Sequence, residues 1–259
     1  LMILAVGATG SIGREVVAVA LEQGHRVRAL VRDAGRARGL AEGAEPVVGD
    51  LTRLETLAAA VEGIDAVIFT HGSGGGKVET EAVDYGGVRN VLAALGGREA
   101  RIALMTAIGV TNRTGAYNRA TEAHDWKRRS ERLVRASGLR YTIVRPGWFG
   151  MNAPDEHRLV PLQGDTGQSG TPRDGAVSRR QIAEVLVHAL TSPQAVRKTF
   201  ELVAEAGPAT TDFDALFAPL AVDADGALDG VRDADNMPLS AEPAPVLADL
   251  EARRRVVPR

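Results

Sequence analysis

The chain has 259 residues, which is enough for one large α/β domain with a modest appendage and a sizeable buried core. Lys and Arg number 31 and Asp and Glu number 33, so the formal net charge of -2 gives no electrostatic reason to expect nucleic acid or an anionic membrane as the main partner. The absence of cysteine excludes disulfides, thiolate metal sites and cysteine nucleophiles.

No apolar run approaches the ~20 residues that a bilayer-spanning helix needs. The first predicted strand begins at Met2, which leaves no stretch for a signal peptide. We therefore expect a soluble cytoplasmic protein that binds neither membrane nor nucleic acid. The five histidines are scattered, and no cluster of His and Glu has the spacing of metal ligands, so no metal site is predicted.

The first element is an apolar strand, Met2–Val6, followed directly by a G-x-x-G-x-x-G pattern and a helix. The first glycine allows a sharp turn, the second lets a phosphate approach the backbone, and the third lets the helix lie close to the sheet. The free N–H groups at the start of such a helix bind anions, and a dinucleotide pyrophosphate is the usual one. The residues expected to contact it are Gly7, Thr9, Gly10, Ser11, Ile12 and Gly13.

Short apolar strands alternate with helices along the next 200 residues. This alternation predicts an α/β fold of the Rossmann type, with a doubly wound, mainly parallel sheet and helices on both of its faces. The predicted strands are Met2–Val6, Val27–Val31, Pro46–Val48, Ala66–Phe69, Ile102–Met105, Tyr141–Val144 and Thr199–Val203. The predicted helices are Ser11–Gln23, Leu54–Glu62, Thr80–Leu95, Asn118–Ser137 and Arg179–Leu190, with Ser11 and Thr52 as N-caps.

Two regions interrupt this alternation. Residues 148–178 contain three prolines and several glycines, so we expect loops and short strands over the open end of the sheet. Residues 204–259 are rich in Ala, Asp and Pro, with short helices predicted near Asp212–Leu216 and Val246–Arg255. The predicted organisation is a dinucleotide-binding domain over residues 1–203 and a small C-terminal extension over residues 204–259, on the substrate side. The pattern leaves open whether this extension packs on the domain or reaches another subunit.

Five motifs in a fixed order carry a resemblance to a known family. They are Gly7 to Arg14, Leu30-Val31-Arg32-Asp33, Gly49-Asp50-Leu51, Val83-Asp84-Tyr85-Gly86 with Asn90, and Tyr141 to Gly147. From Met2 to about Val203 the chain resembles the atypical, extended-type short-chain dehydrogenases/reductases, in particular their NmrA-like, NAD(P)H-binding branch. The resemblance implies a Rossmann fold, a bound nicotinamide dinucleotide and reductase activity, although some members of the branch only sense the cofactor.

The cofactor preference depends on the residue after the second strand. An acid there favours NAD because it accepts hydrogen bonds from both ribose hydroxyls, whereas a guanidinium pairs with the 2′-phosphate of NADP. Arg32 holds this position, so NADP is predicted, with NAD as the alternative because Asp33 follows directly. The resemblance places Asp50 and Leu51 against the adenine; the structural alternative is that Asp50 caps the next helix.

Other cofactor contacts follow from the resemblance. The loop after the fourth strand contributes Thr70, His71 and Gly72, mainly through backbone atoms, with His71 either a surface residue or a phosphate or proton donor. Pro146, after the sixth strand, is implied to touch the carboxamide of the nicotinamide. The following apolar residues Trp148, Phe149 and Met151 form either a wall for a small apolar or aromatic substrate or a plug for the core.

The predicted catalytic residues are Thr106 and Lys127. In the family a Ser or Thr after the fifth strand orients a substrate oxygen, while a Tyr-x-x-x-Lys pair supplies the acid and holds the nicotinamide ribose. Thr106 holds the first place and Lys127 the last, but Ala123 stands where the tyrosine is expected. Tyr117, Tyr85, a water molecule or the substrate itself remain as alternative acids.

Helical periodicity separates Lys127 from its basic neighbours. Residues 127, 130, 134 and 137 share one small, apolar stripe, whereas the arginines of this helix fall mostly elsewhere and are interpreted as a solvated face. These arginines are Arg128, Arg129, Arg132 and Arg135. The leading hypothesis is an NADP-preferring oxidoreductase that transfers hydride to or from a small carbonyl or quinone-like substrate. The alternatives are a non-catalytic NAD(P)H-binding sensor and an NAD(P)-dependent epimerase or isomerase.

Overall fold

The computed structural model describes all residues, Leu1–Arg259, and contains one eight-stranded sheet with helices on both faces. The strand order is β3-β2-β1-β4-β5-β6-β10-β8, in which every neighbouring pair is parallel except β10 and β8. The fold is therefore the predicted Rossmann-type α/β architecture. The strands are β1 (Met2–Val6), β2 (Arg26–Val31), β3 (Glu45–Val48), β4 (Ala66–Phe69), β5 (Arg101–Met105), β6 (Tyr141–Pro146), β7 (Trp148–Phe149), β8 (Arg158–Leu162), β9 (Ala176–Val177) and β10 (Lys198–Glu205).

All seven predicted strands are present, with bounds that differ by at most two residues at either end. The region over residues 148–178 contributes the short pair β7–β9 and the antiparallel edge strand β8, as its proline-rich and glycine-rich composition predicts. The α-helices are α1 (Ser11–Glu22), α2 (Ala58–Val61), α3 (Lys77–Glu79), α4 (Gly86–Leu95), α5 (Ala116–Thr121), α6 (Ala123–Ala136), α7 (Arg179–Thr191), α8 (Phe213–Phe217) and α9 (Ala244–Arg255).

Three of the predicted helices are divided. The segment predicted as Leu54–Glu62 is a 3₁₀ turn followed by α2, and the segment Thr80–Leu95 begins with a π-helical turn, Thr80–Tyr85, between α3 and α4. The segment Asn118–Ser137 breaks at Glu122, whose backbone has the left-handed φ of 55°. None of the helices combines the length and the apolar character that crossing a bilayer requires.

The core lies on both faces of the sheet because successive side chains of each strand point in opposite directions. In β1, Ile3 and Ala5 pack with the apolar faces of α1 and α7. Leu4 and Val6 face the other side, where α4, α6 and α9 cover the sheet. The α7 helix begins with a capping box in which Ser178 and Gln181 bond to each other's backbone N–H groups.

The arginine face of α6 is buried, so its interpretation as a solvated surface is wrong. Arg128 is 0% exposed and the other three arginines are at most 8% exposed. The physical reason is that acidic residues of the C-terminal segment neutralise them. The pairs are Arg128 and Arg132 with Asp229, Arg129 with Glu242, and Arg135 with Asp223.

The C-terminal segment packs along α4 and α6 through further polar contacts. Tyr85 donates its hydroxyl hydrogen to Asp249 of α9 over 2.6 Å, and Arg145 of β6 pairs with Asp233 over 2.7 Å. Val246 and Leu250 of α9 join the core on the α4 and α6 side. This face of the Rossmann layer is therefore closed by residues from the last 40 positions of the chain.

Candidate functional site

The turn after β1 is built so that only glycine fits at two of its positions. Gly7 has a φ of 87°, and a Cβ atom there would lie 2.6 Å from the backbone nitrogen of His71. A Cβ atom on Gly13 would lie 1.8 Å from the carbonyl oxygen of Gly7. The glycines therefore let α1 begin directly against the end of β1 and let the end of β4 approach it.

Gly10, and not the predicted Ser11, is the N-cap of α1, and no side chain caps the helix. Ser11 is the first helical residue and is exposed, while Ile12 and Gly13 in the same turn are buried. Because no earlier helical carbonyl exists for them, the N–H groups of this turn have no intrahelical partner. The start of α1 therefore presents donors and a positive dipole end to an anion.

A cleft of about 610 Å³ opens at this edge of the sheet. Its lining comes from the ends of β1, β2, β3 and β4, which is where Rossmann folds bind dinucleotides. Nine of the predicted cofactor-binding residues line it: Gly7, Thr9, Gly10, Arg32, Asp50, Leu51, Thr70, His71 and Gly72. The other predicted residues, Ser11, Ile12, Gly13, Lys127 and Pro146, lie outside the lining, and Pro146 is buried at the end of β6.

The end of the cleft that follows β2 carries a cation without a partner. Arg32 lines the cleft and makes no hydrogen bond or ion pair. Asp33 instead caps the following 3₁₀ turn and pairs with Arg36 over 3.1 Å. Arg14 donates to the carbonyl oxygens of Thr9 and Gly39, so it ties the glycine turn to that 3₁₀ turn.

Asp50 and Leu51 follow β3 on the same side of the cleft. The carboxylate of Asp50 accepts hydrogen bonds from the hydroxyl and the backbone N–H of Thr52, and these bonds lower its pKa. Asp50 therefore stabilises the loop after β3 through its bonds with Thr52. Thr52 belongs to this loop, and Arg53 holds the N-cap position of the following 3₁₀ turn that was predicted for Thr52. The carbonyl oxygen of Leu51 accepts from Asn90 of α4 over 2.6 Å, which fixes the loop to the helix layer.

The imidazole of His71 is turned toward the π-helical turn. Its Nε2 atom lies 3.0 Å from the carbonyl oxygen of Val83, and a Cβ atom on Gly87 would lie 2.8 Å from the same nitrogen. Burial lowers the pKa of His71 to about 4; the Asp84 carboxylate opposes this shift and the Lys127 cation adds to it. His71 is therefore neutral near pH 7, and its Nε2 atom donates to the carbonyl oxygen of Val83. The Nε2 proton is thus held in this hydrogen bond and is not free for transfer to a substrate.

Lys127 reaches the loop after β4 from α6. Its Nζ atom lies 2.7 Å from Oδ2 of Asp84, and the lysine side chain is 21% exposed. A Cβ atom on Gly72 would lie 3.7 Å from this Nζ atom, so the cation is next to a residue that lines the cleft. Ser130, on the same helical stripe, donates to the carbonyl oxygen of Asp84. Two residues of the predicted stripe, Lys127 and Ser130, therefore both contact Asp84.

Thr106 has a different partner from the predicted substrate oxygen. It is 3% exposed, and its hydroxyl donates to Glu131 of α6 over 2.7 Å. Glu131 also pairs with Arg145 over 2.7 Å. Burial acts to raise the pKa of Glu131, but the charges and hydrogen bonds of Arg145, with Arg135 and Thr106, hold it at about 2. Thr106 therefore belongs to a buried ionic network with Glu131 and Arg145.

Ala123 is buried at the start of α6, immediately after the break at Glu122. Of the three tyrosines, Tyr85 and Tyr141 donate their hydroxyls to Asp249 and Asp223. Burial is the main reason that the pKa values of both phenols are raised, and the accepting carboxylates raise them further. Tyr117 is 59% exposed and is the one tyrosine whose hydroxyl is not hydrogen-bonded.

Apolar side chains follow β6 on the predicted substrate side. Trp148 is 38% exposed and Met151 is 59% exposed, so neither plugs the core. Phe149 is partly buried against the core on the α1 and α7 side, with the Arg179 guanidinium 5.8 Å from its ring centroid. Trp148 and Met151 therefore expose apolar surface after β6, whereas Phe149 packs on the core.

Two acidic side chains that contact the predicted catalytic residues were not predicted from the sequence. Asp84 belongs to a motif that carries the family resemblance, but its pairing with Lys127 depends on the π-helical turn. Glu131 lies one helical turn after Lys127. The sequence shows it only as a single acid among the arginines of α6, which does not indicate that it pairs with Arg145. Neither pairing follows from local spacing alone.

The NAD(P)H-binding family matches the chain over residues 7–193. YhfK of Bacillus subtilis, an uncharacterized sugar epimerase, is 32% identical over 204 residues, which are 76% of this chain and 91% of YhfK. The NAD(P)H azoreductase of Xenophilus azovorans is 32% identical over 194 residues, which are 74% of this chain and 64% of the azoreductase.

Solved structures share the fold at lower identity. A proposed NAD-dependent epimerase/dehydratase from Bacillus halodurans superposes with a TM-score of 0.71 at 23% identity, covering 85% of this chain and 100% of that one. An anaerobilin reductase from Escherichia coli O157:H7 gives a TM-score of 0.62 at 23% identity, covering 81% and 100% of the two chains. The glycine turn, the cleft and these matches lead to one conclusion: the chain belongs to the NAD(P)H-binding family of Rossmann-fold proteins, as its resemblance to the atypical short-chain dehydrogenases/reductases predicts.

Proposed function

We propose that this protein is an oxidoreductase that prefers NADPH and transfers hydride to a small carbonyl or quinone-like acceptor. The observation that carries the proposal is the placement of two cations on either side of the glycine turn. Arg32 follows β2 and Lys127 lies beside the loop after β4, while β1 runs between these strands. This spacing suits a dinucleotide whose 2′-phosphate meets Arg32 and whose nicotinamide ribose meets Lys127.

Each part of the site has a distinct role in this proposal. The nicotinamide cofactor supplies the hydride when it is bound. The first turn of α1 binds the pyrophosphate through its N–H groups, and Gly7 and Gly13 provide the close approach that this needs. Lys127 donates to the ribose hydroxyls, since an ammonium has three N–H donors and Asp84 takes one of them.

The acceptor is proposed from the substrate side of the site. Trp148 and Met151 offer exposed apolar surface beyond the end of β6, which suits a flat or apolar molecule. Thr106 is not assigned to the substrate oxygen because its hydroxyl is committed to Glu131. The names of two similar proteins, an azoreductase and an anaerobilin reductase, also support reductase activity.

A non-catalytic NAD(P)H-binding regulator is the second candidate. Ala123 at the place of the family tyrosine favours it, because no side chain there can give a proton to a carbonyl oxygen. Both candidates predict cofactor binding in the same cleft. They differ only in turnover.

The test follows NADPH and NADH absorbance with quinones, azo compounds, aldehydes and ketones, while cofactor fluorescence measures binding. Lys127→Met removes the proposed ribose contact, and Lys77→Met, with a half-exposed side chain, is the matched control. The proposal expects NADPH turnover that falls at least tenfold in Lys127→Met and is unchanged in Lys77→Met. Tight NADPH binding without turnover of any acceptor would favour the regulator, and no binding of either nucleotide would overturn both candidates.

A further inference from the structure

We propose that Asp84 is a positioning residue that locks the ribose-binding lysine and the glycine-rich loop into one arrangement. The inference rests on the proposed function, because it concerns how Lys127 is held toward the cofactor. Asp84 does not line the cleft and is 5% exposed, so it acts through its partners and not by touching the cofactor.

The carboxylate of Asp84 divides its two oxygens between two elements of the site. Oδ2 accepts from Nζ of Lys127 over 2.7 Å, and Oδ1 accepts from the backbone N–H of Ser73 over 2.7 Å. Ser73 belongs to the loop after β4, whose residues 70–75 line the cleft. One side chain therefore sets the position of both the cation and the loop.

The backbone of Asp84 is fixed to the helix that carries the lysine. Its carbonyl oxygen accepts from Oγ of Ser130 over 3.0 Å, and Ser130 lies three residues after Lys127 on α6. The neighbouring carbonyl oxygen of Val83 lies 3.0 Å from Nε2 of His71. Both carbonyls belong to the π-helical turn Thr80–Tyr85, and such turns often mark functional sites because they redirect groups that an α-helix would keep in its ladder.

The side-chain exposures of Asp84 and Lys127 show which of the two can contact a ligand. The Asp84 side chain is 4% exposed whereas that of Lys127 is 21% exposed, so the carboxylate is buried behind a cation that still meets solvent. A Cβ atom on Gly72 would lie 3.7 Å from Nζ and 3.8 Å from Oδ1, which puts the pair directly behind the loop backbone. Two N–H donors of the ammonium remain for a ribose.

The test compares two ligands that reach different parts of the cleft. NADPH spans both ends, whereas adenosine 2′,5′-bisphosphate reaches Arg32 and carries no nicotinamide ribose. In Asp84→Asn the amide oxygen still accepts from Ser73, but the amide N–H₂ faces Lys127 and repels it. We expect NADPH binding to weaken about tenfold and bisphosphate binding to change less than about twofold.

A double-mutant cycle separates positioning from general destabilisation. If Asp84 acts through Lys127, Asp84→Asn has little further effect on NADPH affinity once Lys127→Met is present. Asp125→Asn is the matched control, since Asp125 lies on α6, the helix of Lys127, and pairs with Arg113. It should leave the affinity for both ligands unchanged. Asp84→Ser is the second neutral variant, and it replaces Asp84→Asn if the amide prevents folding.

The loop contact has its own readout. Asp84→Ala removes the acceptor of the Ser73 N–H, so amide hydrogen exchange in residues 72–77 should become faster than in Asp84→Asn. Equal weakening of NADPH and bisphosphate in Asp84→Asn, or an unchanged NADPH affinity, would overturn the inference alone. Wild-type protein that bound neither ligand would overturn the proposed function and this inference with it.

Discussion

Asp33 and Arg36 form an ion pair of 3.1 Å directly after β2, and this pair occupies the acid that stands next to Arg32 at the cleft. Asp33 also accepts the backbone N–H of Arg36, so both of its oxygens are used within the 3₁₀ turn. Arg32, one residue earlier, has no such partner and lines the cleft. The acid that would favour NAD is thus occupied, while the guanidinium that suits a 2′-phosphate is free.

Replacing Arg32 with Ala should weaken NADPH binding by roughly tenfold to a hundredfold, the range expected for hydrogen bonds to a charged group. NADH affinity should change by less than about twofold, because NADH has no 2′-phosphate. Titration of both nucleotides by fluorescence measures the ratio. Arg38→Ala, an exposed arginine of the same turn outside the cleft lining, is the control. Equal losses for NADPH and NADH would show that Arg32 does not meet the phosphate.

Gly13→Ala should destabilise the protein by about 3 kcal/mol or more, because the added Cβ atom would lie 1.8 Å from the carbonyl oxygen of Gly7. Denaturant unfolding gives the free energy. Gly10→Ala is the informative comparison, since its Cβ atom would meet only the Gly7 oxygen, at 3.3 Å. It should unfold like the wild type but bind NADPH less tightly. A Gly13→Ala variant of normal stability would refute the steric argument.

Asp223→Ala should cost about 3–5 kcal/mol of unfolding free energy, because it removes one of the two carboxylates that pair with the buried guanidinium of Arg135 and leaves only Glu131. The same carboxylate also accepts from Tyr141, Thr199 and the backbone N–H of Val231, so four donors lose this acceptor. Urea unfolding measures the loss. Asp225→Ala, only two residues away, should change stability by less than about 0.5 kcal/mol, because its side chain is 91% exposed. Similar losses in both variants would contradict this assignment.

Glu201 should make stability depend on pH above the usual range of a carboxyl group. Burial raises its pKa to about 7, against the opposing charge of Arg145. A raised pKa means that the folded protein binds the proton more tightly than the unfolded chain, so stability falls as pH rises from about 4.5 to about 7. The contribution is at most about 3 kcal/mol.

Glu201→Gln keeps a neutral acceptor for the backbone N–H of Asp165 and removes the titration. The variant should match the wild type near pH 5 and melt at a higher temperature near pH 8. Thermal unfolding across this range is the measurement. A difference between the two proteins that is the same at pH 5 and pH 8 would show that Glu201 does not titrate there.

The strands and the glycine turn were predictable because their signals are local. A strand that is buried on both faces is a short apolar run, and here glycine or polar residues follow each run and mark where the strand ends. The helical stripe separated Lys127 from the arginines of α6, and Lys127 lies beside the loop after β4, but its contact with a ribose stays a prediction. The break at Glu122 was not predictable, since its left-handed backbone is accompanied by side-chain contacts with Trp126 and Lys77 that come only with the fold.

The arginines of α6 show why local pattern has a limit. Their spacing is the same whether water or carboxylates surround them, and Arg128 and its partner Asp229 are 101 residues apart in the chain. The role of Asp84 has the same origin, because it needs the π-helical turn, α6 and the loop after β4 together. In both cases the charged partner lies far away in the chain. The sequence around each residue therefore gives no indication of the pair.

The separation between the α6 arginines and their acids also has a consequence during synthesis. A ribosome that adds about 5–20 residues per second needs roughly 5–20 seconds to travel from Arg128 to Asp229. Throughout that interval the nascent helix carries four cations that cannot be buried without large desolvation costs. The α6 face of the Rossmann layer can therefore reach its native, ion-paired form only after the last of these acids has been made.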